Sequence, residues 1–432
     1  MSRFSASDRY YMFQDLDRLN PLTTFARDEI AECDDERAGD ILRNFKVEPL
    51  FDYSLLRHNC NKLKIIQFDG IAPIIEDEDE INLKGEACNL EYRRRTRGAV
   101  IENEYSMEVP IAVMRYLRPN LKFDIITTKT FLTTLCRFID NERRSYRFNV
   151  ERIGDLIIIE EMPFGDARPS KTYLQGALDI LTGRATPDYR QLSLCEFGTM
   201  SVIVRQNVDL AEPSSIGRIR ADMNWQRNSF NQSPKEPFLP ILENTIESMS
   251  KMGVFTDQPE PVFRIDDSHV GIQGPLVPEA PKKPIEVMCR SSQRFSFENL
   301  QMKWPNMVFS GADRIISVLH VRGLIDHKPK SFSFQEIAPQ GYKKTLARAA
   351  VLCRQIVDYI RSIANFESDK LALIWANDQR CSADANDGER FVLYRRRRGE
   401  MEESYFVTPS LRRSLISTYQ LDDDDDDDEE SF

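Results

Sequence analysis

The chain has 432 residues, 41% of them apolar and 29% charged, the balance of an ordinary soluble globular protein with a sizeable core. Its formal charge of −11 owes nine negatives to the run from Asp422 to Glu430, which leaves −2 for the rest. Net acidity therefore says little against a nucleic-acid partner, because local patches decide that interaction. Eight single cysteines form no C-x-x-C pair and no Cys/His cluster at zinc spacing, so reduced thiols are expected. The polar start MSRFSASDRYY lacks an apolar h-region and the run LIIIEEM is too short to cross a bilayer, so secretion and membrane spanning are not expected. The expected location is the nucleus, the cytoplasm or both.

Residues 1 to about 60 are polar with weak helical periodicity, and residues 75–98 set an acidic run beside Arg93, Arg94, Arg95 and Arg97, an exposed loop or edge. In SYRFNVERIGDLIIIEEM (145–162), Tyr146, Phe148 and Val150 alternate, IGD turns, and Leu156 to Ile159 return as a buried strand. TMSVIVRQNVDL (199–210) alternates through Val202 and Val204 as another strand. Residues 211–284, rich in Pro, Ser, Asn and Gln, predict a long insertion with a helix near 239–252. A strand at 285–289, a helix across 296–309 and a strand at 313–321 follow. Over 343–364 an apolar stripe from Leu346 through Ala350, Cys353 and Val357 to Ile363 predicts a helix, and 370–378 a strand. In RFVLYRRRRGE (390–400), the four arginines Arg395 to Arg398 suit an exposed strand end paired with Glu400, Glu402 and Glu403, or contact with phosphate. The tail 421–432 repels itself and is expected to be disordered, a solubilising tail or a docking peptide. This mixture without βαβ regularity predicts an α+β fold of mixed sheets flanked by helices, one large domain over residues 1–420 with insertions.

The chain has no P-loop, no G-x-G-x-x-G and no H-E-x-x-H, and its four histidines stand apart. The chemistry-bearing feature is a pair of strands ending in acids, RQNVD with Asp209 and PIEVM with Glu286. Hard carboxylate oxygens brought together at strand ends suit Mg²⁺. Either acid alone is ordinarily solvated surface.

From about residue 120 to 380 the chain resembles the DXO-type decapping nucleases, a eukaryotic RNA 5′-end quality-control family. Five segments carry the resemblance in order. FDIITTKTFLTTLCRF (123–138) is similar to the family's strand, basic residue and following helix, with Lys129 where an arginine is usual. YRFNVERIGDLIIIEEMP is similar to the next hairpin, SVIVRQNVD to the E-h-D strand, and IEVMCR to the E-h-K strand. LQMKWPNMVFSGADRIISVLHVRG (300–323) is similar to the segment built around K-x-W-x-Q. The resemblance implies a core related to the PD-(D/E)xK nucleases, with Mg²⁺ or Mn²⁺ held by acids and backbone. It implies removal of incomplete or non-canonical caps, trimming of the 5′ end, or both. It places Asp209, Glu286 and Asn306 in catalysis and Asp209, Glu286, Asn207 and the Val287 carbonyl on the metal. Lys129 and Asn306 fall on the substrate, an RNA 5′ end, and a 5′-3′ exoribonuclease or another protein is the implied partner.

The departures bear on catalysis. Asn207 stands for the first acid of E-h-D, Met288 for the lysine of E-h-K, and Asn306 for the glutamine after Trp304. Setting Gly176 on the motif glycine of G-h-x-h-E puts Ile180 where the glutamate belongs, with Asp179 about 100° around the helix. A catalytic unit that loses one member commonly loses about 10⁴-fold in rate, on the order of 5 kcal/mol. Weak or lost hydrolysis is expected unless Lys282, Lys283 or Lys303 supplies the missing amine on its flexible stem. The alternative function is a non-catalytic protein that binds RNA ends or scaffolds an exonuclease.

Overall fold

The computed structural model describes residues 12–13, 15–16, 20–56, 63–68, 106–142, 144–162, 173–182, 189–212, 262–325, 328–363, 370–376, 389–396 and 406–419. It also gives the backbone of 88–89, 93–94 and 171–172. The helix expected near 239–252, Trp225, the charged run 75–98 apart from those short pieces, Glu400 to Glu403 and the acidic tail lie outside the described residues.

Strand formation starts from apolar runs long enough to be buried on both faces. Leu156–Glu161 opens with four fully buried residues and pairs antiparallel with Ser145–Ile153 and, through Ile157 to Ile159, parallel with Ile125–Thr128. On the far side of Ile125–Thr128 comes Met200–Asn207, also parallel, then the antiparallel Tyr189–Phe197 and Lys46–Leu56. Leu371–Ala376, Arg390–Arg395 and Thr23–Ala26 extend one end of this sheet, and Lys64–Gln67, Val270–Gln273 and Val262–Arg264 the other, making twelve strands among the described residues. Alternation divides the side chains between two cores: Ile125, Ile157, Ile159, Val202 and Val204 enter one, and Ile126, Leu156, Ile158 and Ile203 the other. This is a mixed sheet packed by helices on both faces.

The first core lies under the helices Lys129–Ile139, Trp304–Ser310 and Tyr342–Ser362; the second lies under Glu108–Leu117 and Pro409–Tyr419. Helix Tyr342–Ser362 buries the stripe its sequence predicts, Leu346, Ala349, Ala350, Cys353, Ile356, Val357 and Ile360. The single helix expected across 296–309 is two, Phe297–Gln301 and Trp304–Ser310, the second carrying proline in its first turn. At the IGD turn Gly154 has φ +57, and a Cβ there would lie 2.9 Å from Cβ of Tyr419, so the tight hairpin and a close helix approach both require glycine.

A smaller sheet orders Leu210–Ala211, Pro284–Ser291, Arg314–His320 and Lys330–Ser333. The chain leaves the large sheet at Asn207 and enters the small one at Leu210, so Val208 and Asp209 form the crossing. Residues 1–60, expected to be polar with weak helical periodicity, contain the eleven-residue strand Lys46–Leu56. Pro49, at a register shift against Ser193, breaks its period. Cys33, Cys136, Cys195, Cys289 and Cys353 are free thiols, and Trp304 and Trp375 are buried in the core.

Candidate functional site

Strand Pro284–Ser291 is held parallel to Arg314–His320 on one side, while its first residues pair antiparallel with Leu210–Ala211, Leu210 opposite Ile285. Ile285, Val287, Leu210, Ile316 and Val318 pack against Ala177, Leu178 and Leu181 of the helix Leu174–Thr182. Alternation turns Glu286 and Met288 to the other face. Asp209 immediately precedes Leu210 and Glu286 immediately follows Ile285, so the two acids flank the same end of this short antiparallel pairing. Asn207 is exposed at the end of its strand, opposite Arg190.

Glu286 is only 13% exposed, and its Oε1 accepts a hydrogen bond from Nζ of Lys129 at 2.5 Å. Lys129 opens the helix Lys129–Ile139 at the end of strand Ile125–Thr128, which fixes where its stem starts. Burial pushes the Glu286 carboxyl up, but the Lys129 charge and hydrogen bond, the Lys303 charge and the Ser310 hydroxyl outweigh it and hold the group below the usual range. Glu286 is therefore ionised and answered by cations. Lys303, the N-cap residue of helix Trp304–Ser310, is pushed down chiefly by burial; Glu286 opposes that shift, and Arg137, Lys129 and Arg144 reinforce it.

Met288 is 4% exposed and belongs to an apolar cluster with Leu300, Met307, Ala312, Ile315 and Ile337. The thioether in the lysine's place thus fills a core of mainly aliphatic side chains, where burying an ammonium would be costly. Ile180 packs at the edge of the cluster around Leu178 and Leu181, and Asp179 accepts from Gln175 of its own helix at 3.0 Å. Asn306 accepts from Nη2 of Arg137 at 3.0 Å, and Nη1 of Arg137 reaches the Tyr146 hydroxyl at 3.0 Å. Glu142 lies beside both Arg137 and Arg144. Of the other lysines considered, Lys283 pairs with Asp313 and Lys282 with Glu279 at 3.8 Å. Among the described residues, Lys129 and Lys303 are the amines whose charges act on Glu286.

A buried polar network positions the strand that bears Glu286. Asp52 accepts from the Lys282 backbone N–H at 2.6 Å, Nε2 of Gln191 at 2.8 Å and the Tyr189 hydroxyl at 3.2 Å. Gln191 also donates to the Lys282 carbonyl at 2.8 Å, and Gln206 donates to Gln191 at 2.8 Å and to the Ser310 carbonyl at 3.1 Å. Three strands of the large sheet are tied in this way to the start of Pro284–Ser291 and to the end of helix Trp304–Ser310. Burial pushes the Asp52 carboxyl up to about 6 against the lowering effect of its hydrogen bonds. The sequence reading missed Asp52, although Phe51 and Tyr53 alternate with Asp52 and Ser54 in FDYS and signal a strand there.

A divalent cation of the hard type takes six or more oxygens, several of them carboxylate. Among the described residues no group of three or more His, Cys, Asp or Glu side chains is placed to hold one. Glu286 is already bonded to one ammonium with another nearby, and Asn207 is exposed at the end of the large-sheet strand. As arranged, this donor set does not fit such an ion.

No protein-family model and no curated protein sequence matches the chain. Solved structures similar to it include Rai1 of Scheffersomyces stipitis in complex with (3′-NADP)⁺ and calcium ion, with TM-score 0.53 at 9% identity over 93% of this chain and 100% of that one. Candida albicans Rai1 in complex with pU5-Mn²⁺ gives TM-score 0.48 at 11% identity over 93% and 99%. K. lactis Dxo1 in complex with manganese gives 0.44 at 9% over 84% and 91%. At such identities the likeness is one of fold. The mixed α+β architecture is that of Rai1, and the resemblance read from five ordered segments holds at that level across most of the chain.

Proposed function

We propose that the chain receives an RNA 5′ end where its two sheets meet, and that it hydrolyses that end feebly or not at all. The carrying observation is the fate of the E-h-K strand: Glu286 is held by Lys129, and Met288 is packed into a core. A carboxylate bonded to an ammonium 2.5 Å away offers little charge to a metal, and a buried thioether can neither hold a water nor answer developing negative charge. What this chain's residues do supply is a set of cations beside the crossing, with Asn306 fixed by Arg137 as an oriented amide. The resemblance of five ordered segments supports RNA ends as the class of ligand, and the altered residues support binding over turnover.

The test is a panel of RNAs with 5′-triphosphate, 5′-monophosphate, unmethylated and nicotinamide caps, incubated with Mg²⁺ or Mn²⁺ beside a double variant, Asp209→Ala with Glu286→Ala. The expected result is retention of RNA at low salt, weakening as salt rises, with no release of cap or nucleotide above the double variant. Metal-dependent turnover abolished in that variant would establish an active hydrolase instead. Absence of RNA retention at low salt would leave a fold that no longer serves RNA.

A further inference from the structure

The cations around Glu286 are not equivalent. Lys129 is bonded to Glu286, Arg137 to Asn306 and Tyr146, and Arg144 lies 3.2 Å from Glu142. Lys303 is half-buried, and among the described residues its ammonium has no hydrogen bond and no ion pair, only the more distant charges of Glu286, Glu142 and its fellow cations. Its backbone is well fixed: its N–H bonds the Leu300 carbonyl at 2.9 Å, and its own carbonyl accepts from Asn306 at 3.0 Å. An ammonium held partly out of water with no acceptor is costly, and the cost ends when an anion supplies oxygens. Lys129 is bonded to Glu286 and Lys303 is within electrostatic reach of it, and the two start helices that pack on the same core.

We infer that this cluster of charges is an anion seat in which Lys303 and Lys129 hold the terminal phosphate of an RNA directly, with no divalent cation between. The inference rests on the proposed function and names how the end is recognised. The chemistry is a permutation of a metal site. Instead of acids gathering a cation that then gathers phosphate, the amines meet the phosphate oxygens themselves, and Glu286 sets the spacing of Lys129 when no ligand is present. Ammonium groups suit this role as point charges with three donors each.

The experiment compares binding of one short RNA carrying either a 5′-monophosphate or a 5′-hydroxyl to the full chain, in EDTA and in Mg²⁺. The expected result is a preference for the phosphate of about tenfold or more, equal in both buffers. Lys303→Met should remove most of that preference, lowering affinity for the 5′-phosphate RNA far more than for the 5′-hydroxyl RNA, and Lys303→Arg should keep most of it. Glu286→Gln should strengthen the phosphate preference by releasing Lys129. A preference that vanishes in EDTA, survives Lys303→Met, or falls in Glu286→Gln would overturn the seat. If neither RNA binds, the RNA reading fails and the seat is judged by inorganic phosphate in EDTA. A rise in the wild-type melting temperature that Lys303→Met lacks keeps it, and no rise overturns it. Lys303→Met should melt no lower than wild type without phosphate, since it removes an unpaired half-buried charge; lower melting would mark Lys303 as structural.

Discussion

The large and small sheets meet at Val208 and Asp209 but are built on different terms. At the centre of the large sheet, the run Leu156 to Ile159 feeds both cores with aliphatic side chains, and the aromatics Phe138, Trp375 and Phe391 close one of them with ring centroids 4.7 to 5.8 Å apart. The small sheet buries Val287 on one face and Met288 on the other, yet on the face of Met288 it admits Glu286, a charge held by Lys129. The difference separates stability from chemistry. A core of carbon tolerates no loss of volume, whereas a paired charge at a sheet crossing can be altered with more consequence for ligands than for folding.

The largest expected effect tests the first half of that contrast. Phe138→Ala removes a fully buried ring from between Trp375 and Phe391 and should cost about 4 kcal/mol, read from the midpoint of chemical denaturation. A loss below about 1 kcal/mol would mean that this core is far looser than its packing. Next is Met288→Lys, which restores the family's residue type to the small sheet. It should cost about 3 kcal/mol, because the new ammonium enters a cluster of Leu300, Met307 and Ile315, and hydrolysis should not return. A variant as stable as wild type that releases nucleotides in Mg²⁺ would erase the distinction between the two sheets.

A smaller effect probes the seam between them. Asp52 is raised from 3.8 to about 6 in the fold, so the native state binds its proton more tightly than the unfolded chain does. Its contribution to stability is fully present below about 4 and is lost as pH rises through 6, amounting to roughly 2 to 3 kcal/mol across that window. Comparing wild type with Asp52→Asn from pH 4 to 8 should show this pH-dependent part missing in the variant. Identical pH profiles would show that Asp52 titrates like an exposed acid and that the seam is wet.

The elements were legible where the pattern is local. The alternation of Tyr146, Phe148 and Val150 and the turn at Gly154 mark the hairpin, and the stripe from Leu346 to Ile360 marks the long helix. Strand Lys46–Leu56 was missed because Pro49 and a register shift interrupt its period, leaving only Phe51 and Tyr53 to speak for it. Of the candidate site, motif order singles out Asp209 and Glu286, and the departures at Asn207, Met288 and Ile180 from the motifs it resembles are read directly.

The sequence by itself determined which groups are available: two acids, no motif lysine, and a set of apolar periods that can only fold into buried strands and helices. Tertiary structure alone decided which charge answers which. Lys129 and Glu286 lie 157 positions apart along the chain, the Lys282 backbone N–H donates to an acid 230 positions away, and among the described residues the Lys303 ammonium has no hydrogen bond or ion pair. Periodicity reports a residue's face because that depends on backbone geometry within a few residues. Ion pairing depends on distances that exist only after the sheets have met.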